Sequence, residues 1–260
     1  MIPYIPPVSF SVFGSPPLHL FGILVALGVM VGAWLTQRRA VQAGFTLEKF
    51  NVAIYLMLIV GFSCSHFIDI LFYNSHRISQ EGFWVIFKFW DGMSSYGGLL
   101  GGALGIVIYC KWYKASLLKV LDVGIQGILV GMTFGRLGCT FAHDHMGVLT
   151  DFFLAVQYPG GARHNLGFYE FLYSILVLIP LSFWIHRKKF PDGYQLFFVI
   201  MAYIPVRFYF DLLREVSSVK GGDVRYWGLT PAQHISIVVF LGLGAWFLQV
   251  RKNKKTNKIK

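Results

Sequence analysis

Seven stretches of mostly apolar residues, near 17–36, 50–72, 95–112, 116–136, 167–186, 194–213 and 231–250, take up most of this 260-residue chain. Crossing the hydrocarbon core of a bilayer takes about 20 such residues as a helix, because every backbone N–H and C=O must find its partner inside the segment. The pattern predicts an all-α, polytopic membrane protein: about seven transmembrane helices in one integral-membrane domain, residues 1–260. A composition of 55% hydrophobic and 13% charged residues excludes an ordinary soluble domain. The first 14 residues are rich in proline and aromatics and lack a basic region, so no cleavable signal peptide is expected.

A net charge of +11 would suit a nucleic-acid partner if the basic residues formed one patch. Instead they alternate along the chain. Arg38, Arg39 and Lys49 follow the first span, Lys111 and Lys114 the third, and Arg187, Lys188 and Lys189 the fifth; residues 251–260 close the chain as a basic tail. The positive-inside rule places these loops and the tail in the cytoplasm and the N-terminus outside. No nucleic-acid partner is expected, and the tail reads as a topology anchor drawn to anionic lipid. The outer loops, 73–94, 137–166 and 214–230, carry Trp84, Trp90, Tyr158, Tyr226 and Trp227. Such aromatics suit the headgroup layer, where interfacial or re-entrant structure is expected.

His19, His66, Asp69, Asp122, Gln126, Arg136, Glu170, Arg207 and Asp211 lie within or at the edges of the apolar windows. Polar groups there are costly unless they face a bundle interior or a wet cavity with partners. Structural pairing between helices accounts for any one of them; together they imply a polar cavity open to the outer leaflet. In "RFYFDLLRE", Arg207, Asp211 and Arg214 or Glu215 recur at helical spacing on one face. The planar guanidinium fork matches phosphate oxygens, so Arg136 and Arg207 are candidates to clamp a phospholipid headgroup. Glu170 and Asp211 serve equally as their structural counter-ions. The glycines of "SSYGGLLGGALG" suit close helix packing. Cys64, Cys110 and Cys139 show no paired spacing, so no disulfide framework is expected; Cys139 stands apart because it lies beside Arg136.

Several segments, in order along nearly the whole chain, resemble the prolipoprotein diacylglyceryl transferases. "LHLFGILVALG" resembles that family's first span, with His19 in place. "DILFYNS" resembles its "LFYN" segment with Tyr73 and Asn74, and "WDGMSSYGGLLGG" its "WDGGMSFHGGLIG" stretch with Gly97 and Gly98. "GRLGCTFAHDHMG" is similar to the signature GR-x-GN-x-x-N-x-E-x-x-G, matching Arg136, Gly138 and Gly147. "HNLGFYE" resembles "HPTQLYE", matching His164, Tyr169 and Glu170. "RFYFDLLRE" resembles RF-x-x-E-x-x-RE, matching Arg207 and Arg214, and "GLTPAQ" resembles a motif before the last span.

The resemblance implies a bacterial inner-membrane enzyme that moves the sn-1,2-diacylglyceryl group of phosphatidylglycerol to the lipobox cysteine of a prolipoprotein signal peptide, releasing glycerol 1-phosphate. That chemistry needs a thiolate, and cations to hold the departing phosphate. Arg136 and Arg207 match the family's arginines for the second task. The departures fall on polar positions. Tyr96 stands at the family's histidine, Phe21 at a tyrosine, Cys139 and Ala142 at two asparagines, and Asp144 and Asp211 at two glutamates. A phenol is a poor base near neutrality, so His143 and His145 are candidates to replace the missing histidine, the alternative being a solvated outer loop in which both are incidental. No cofactor and no metal are expected, since only His164 in the outer loops could complete a set begun by His143, Asp144 and His145. Two alternatives remain: a phospholipid-dependent transferase with another acceptor, and a non-catalytic homologue that binds lipid or signal peptide.

Overall fold

A computed structural model describes residues 1–10, 18–88, 92–215 and 225–256, and its backbone alone at Phe10, Leu18, Phe72, Tyr73, Ser95, Tyr96 and residues 253–256. Trp90 and the side chains of Tyr73 and Tyr96 therefore lie outside the description. Two-residue strands β1 (Ile2–Pro3), β2 (Ser9–Phe10) and β3 (Leu18–His19) precede α1 (Leu20–Gln42) and α2 (Leu47–Ile68), which continues as a π turn, Asp69–Tyr73. A short α3 (His76–Glu81) and a 3-10 turn, Phe83–Phe87, lead to α4 (Ser95–Tyr113) and α5 (Leu117–Ala142). Strands β4 (Met146–Leu149), β5 (Val156–Tyr158) and β6 (Gly161–Asn165) come next. They are followed by α6 (Leu166–Tyr173), a π turn (Ser174–Leu178), α7 (Ile179–Arg187), α8 (Tyr194–Leu212) and α9 (Pro231–Thr256).

Each predicted apolar window contains a helix. Among the described residues, six segments have the length and apolarity to cross a membrane: Leu20–Gln42, Leu47–Leu71, Leu117–Ala142, Leu166–Arg187, Tyr194–Leu212 and Pro231–Lys252. The remaining window is α4. The protein is a multi-pass helical membrane protein. The last helix continues to Thr256, so the basic run begins as an extension of α9 rather than after it.

The chain divides into two compact units, residues 33–124 and residues 1–32 with 125–260. In the first, α2 packs along α4 over a core that includes Phe50, Ala53, Tyr109, Cys110 and Val120. A Cβ at Gly105 would lie 2.5 Å from the Leu56 carbonyl oxygen, and one at Gly97 would lie 2.4 Å from that of Cys64. The helix backbones meet at van der Waals contact, as small residues allow inside a membrane. Gly105→Ala is expected to destabilise the protein by about 1–3 kcal/mol through overpacking, read as a lower unfolding temperature in detergent. The polar residues here have local partners. The two ring nitrogens of His66 each lie 3.2 Å from a carbonyl, of Gly92 and Val85, and Asn74 Nδ2 donates to Asp69 Oδ2 at 3.0 Å.

The second unit holds a four-stranded sheet in the order β1-β5-β6-β4, with β1 parallel to β5 and the other pairs antiparallel. The β5–β6 turn passes through Gly160 and Gly161 at φ +101° and +123°, backbone that favours glycine. Interfacial structure was expected in this loop, but not a sheet: its strands are only 2 to 5 residues long, too short to show alternation. β1 also comes from the opposite end of the sequence. Leu129, Leu178 and Val199 lie in the helical core. Pro205 lies inside α8, where it removes one ladder donor, and the nearby Ala202 carbonyl accepts from Tyr173 Oη at 2.8 Å. One expectation fails here. The charged face does not run through Arg214 and Glu215, because α8 ends at Leu212; Arg214 instead bridges to Gly147 in antiparallel fashion.

Candidate active site

Four of the intramembrane charges come together within the second unit. Arg136, on the last turns of α5, reaches Glu170 on α6 with Nε 2.9 Å from Oε2. Arg207 on α8 lies 3.6 Å from Glu170 Oε1 and pairs at closer range with Asp211, one helical turn on. Glu170 and Asp211 are buried at 1% and 0% exposure, so burial makes their ionic partners obligatory. Tyr203 Oη, one turn before Arg207, donates to Glu170 Oε2 at 3.0 Å. Arg214 is close enough to interact electrostatically with all four charges. The guanidiniums of Arg136 and Arg207 are thus held in place by Glu170 and Asp211, an arrangement in which planar donors are oriented before any anion arrives.

The position of Glu170 follows from the helix start before it. Asn165 caps α6, its side chain accepting from the Phe168 N–H at 3.0 Å. Its Nδ2 donates to the Thr140 carbonyl at 3.1 Å, joining α6 to the end of α5. A Cβ at Gly167 would sit 3.0 Å from Cys139 Cβ, so glycine lets the two helices close. Asp211 is held by the segment "GLTPAQ". Thr230 Oγ1 donates to Asp211 Oδ2 at 2.7 Å and accepts from the Gln233 N–H at 3.1 Å, while the Thr230 N–H donates to Gln233 Oε1 at 2.9 Å. This reciprocal capping box starts α9, and it ends a chain of contacts that runs from Thr230 through Asp211, Arg207 and Glu170 to Arg136. The T-x-x-Q spacing makes Thr230 and Gln233 legible as a cap; nothing in the sequence marks Tyr203 beyond its place four residues before Arg207.

The segment after α5 forms a second cluster. His143 takes a left-handed conformation, φ +54°, and its N–H bonds to the Cys139 carbonyl at 3.0 Å, a helix stop that reverses the chain. The reversal carries Asp144 and His145 back beside the last turn. Ligand atoms of Cys139, Asp144 and His145 all lie within 4.8 Å of one another, with Asp144 Oδ1 2.8 Å from His145 Nδ1 and Cys139 Sγ 4.0 Å from Arg136 Nη1. Partial burial works to raise the Asp144 carboxyl, but the hydrogen bond and charge of His145 outweigh it and hold the group below the usual carboxylate range.

His143 points elsewhere. Its ring packs between Tyr4 and Tyr158, with centroids 4.7 and 5.1 Å away. Its Nδ1 lies 3.0 Å from the Tyr158 hydroxyl, a phenol that burial pushes up, and its Nε2–H donates to the Ile5 carbonyl at 2.8 Å. Both ring nitrogens are engaged, and they tie the N-terminal segment to the sheet.

The other sequence candidates are placed as follows. His164 Nδ1 lies 3.0 Å from Tyr169 Oη. Gly147 packs on His164, where an added Cβ would meet His164 Cβ at 2.7 Å, and a Cβ on Gly138 would meet the Phe21 ring at 2.9 Å. His19 is exposed on β3, paired with Ser9. Tyr73, Asn74, Tyr96, Gly97 and Gly98 belong to the other unit, where the two glycines meet Cys64 and Ser65 of α2.

A family model described as prolipoprotein diacylglyceryl transferase matches residues 7–249. Among relatives of known name, the phosphatidylglycerol–prolipoprotein diacylglyceryl transferase of Nitratidesulfovibrio vulgaris is 30% identical over 257 residues, covering 95% of this chain and 94% of that protein. Its namesake in Mannheimia succiniciproducens is 28% identical over 263 residues, 98% of this chain and 96% of the other, and that of Campylobacter hominis 28% over 268 residues, 97% and 93%.

Proposed function

From the premise that the chain belongs to the prolipoprotein diacylglyceryl transferases, a family of membrane enzymes in lipoprotein biosynthesis, we propose that it uses phosphatidylglycerol as donor. It moves the sn-1,2-diacylglyceryl group to the lipobox cysteine of a prolipoprotein signal peptide and releases glycerol 1-phosphate. The observation that carries this reading is the buried Arg136–Glu170–Arg207–Asp211 cluster, which holds two guanidiniums in fixed positions at one place in the helix bundle. Arg136 meets Glu170 through its inner nitrogen with Nη1 4.0 Å from Cys139 Sγ, and this guanidinium, with that of Arg207, is the group that binds a phosphodiester oxygen. When the C–O bond to the diacylglyceryl carbon breaks, the phosphate gains a full negative charge; arginines already oriented by Glu170 and Asp211 stabilise it without reorganising. Formation of the acceptor thiolate falls to Asp144 and His145, next along the chain from Arg136, while His143 holds the turn that positions them. The alternation of basic loops orients the N-terminus and these residues outside a bacterial inner membrane and the basic C-terminus in the cytoplasm.

Reconstitution of the purified protein with phosphatidylglycerol and a lipobox peptide tests the reading. Glycerol phosphate release matched by a diacylglyceryl mass gain on the peptide is expected. Release with unmodified peptide would assign another acceptor, and neither signal from folded, lipid-binding protein would leave a binding homologue.

Thr230 provides a further check. Thr230→Ser keeps both the cap and the donor to Asp211 and is expected to retain activity. Thr230→Asp still caps α9 but sets a second carboxylate against Asp211, which displaces Arg207; transfer is expected to fall about 10- to 100-fold in a protein that still folds. Equal activity of the two variants would rule out this positioning role.

A further inference from the structure

Three different donor types meet at the end of α5: a buried thiol, a carboxylate and an imidazole. Cys139 is 8% exposed, the side chains of Asp144 and His145 are 43% and 21% exposed, and their ligand atoms lie within 4.8 Å of one another. We propose that Cys139, Asp144 and His145 bind a zinc ion, and that the ion's open fourth position takes the acceptor thiol. The inference rests on the transferase reading above and names how its thiolate forms. It departs from the set considered on sequence alone, because His143 has both ring nitrogens committed elsewhere and Cys139 takes its place.

The donor set selects the metal class. A thiolate with an imidazole and a carboxylate suits zinc, whereas magnesium and calcium favour oxygen alone. Three protein ligands and one open position form the catalytic zinc pattern; structural zinc sites use four. Bonds of about 2.0–2.3 Å put tetrahedral ligand atoms roughly 3.5 Å apart, so Asp144 and His145, now 2.8 Å apart, open to admit the ion while the wider separations in the set, all within 4.8 Å, shorten by about 1 Å. A thiolate and a carboxylate neutralise the ion's two charges, the C-terminal end of α5 adds partial negative charge, and Arg136 Nη1, 4.0 Å from Cys139 Sγ, is placed to donate to the bound thiolate. The exposed side of the set, at Asp144, leaves the fourth position accessible.

The chemistry then balances. The acceptor thiol binds the ion and loses its proton to water, since a coordinating thiol is deprotonated outright. The thiolate sulfur forms the C–S bond as the diacylglyceryl C–O bond breaks, and that bonding pair leaves on the phosphate of glycerol 1-phosphate beside Arg136 and Arg207. This arrangement accounts for a chain that has Tyr96 where its family has a histidine, yet carries a thiol, a carboxylate and an imidazole together near Arg136.

Cobalt(II) titration of the chelator-treated, detergent-purified protein tests the site directly. About one cobalt per chain is expected, with a thiolate-to-cobalt charge-transfer band that zinc displaces. Cys139→Ser removes the band and weakens binding by more than about 100-fold, and Cys110→Ala leaves both unchanged. Should Cys139→Ser fail to fold, Asp144→Asn and His145→Gln must each weaken binding without touching the buried position. Diacylglyceryl transfer is expected to fall at least 100-fold in the chelated protein and to return with zinc but not magnesium. No band in folded protein, a band that survives Cys139→Ser, or full transfer by chelated protein overturns the proposal. Cobalt bound as described with no product from any form would instead overturn the transferase reading and leave the site standing.

Discussion

Arg136→Ala is expected to lower diacylglyceryl transfer by roughly 10²–10³-fold, the usual cost of removing one preorganised donor from a developing anion, while Glu170 keeps Arg207 and Tyr203 as partners. Arg136→Lys separates charge from geometry. Lysine restores the positive charge but not the planar fork, so most of the loss should remain. Glycerol phosphate release and peptide mass, measured together on variants with unchanged elution profiles, make the comparison. Wild-type activity in Arg136→Ala would remove the phosphate clamp from the mechanism, and full rescue by lysine would show that charge alone suffices.

Glu170→Leu should be the most destabilising substitution in the cluster. The carboxylate is 1% exposed and meets Arg136, Arg207 and Tyr203, and its loss leaves Arg136 without its counter-ion and Tyr203 without its acceptor. Removing one side of a buried ion pair costs about 3–5 kcal/mol. The expected result is a lower unfolding temperature in detergent and poor recovery. Glu170→Gln keeps the shape and one acceptor oxygen and should lose less stability, yet it frees Arg136 to move and so still reduces transfer. A Glu170→Leu protein as stable as the wild type would mean that lipid or water screens this cluster and that the pair carries no structural weight.

Hydropathy made the spans legible, because a bilayer demands long apolar helices whatever their neighbours are. It also exposed Arg136, Glu170, Arg207 and Asp211, since a charge in such a window stands out against its surroundings. The pairing of those charges was only partly readable. Arg207 with Asp211 follows from spacing along one helix, but Arg136 with Glu170 joins α5 to α6 across a sheet that the sequence did not reveal.

The roles of the three residues after α5 were decided by tertiary structure alone. As text, His143 and His145 are equivalent candidates on either side of Asp144. In space, a left-handed turn at His143 sends its ring between Tyr4 and Tyr158 and folds Asp144 and His145 back onto Cys139. The sequence by itself determined that this chain crosses a membrane and carries arginines it must pair, because solvation costs act on each residue separately. Which histidine bonds to Tyr158 and Ile5, and which meets a carboxylate and a thiol, depended on one backbone dihedral and on partners more than a hundred residues away, and no local pattern records either.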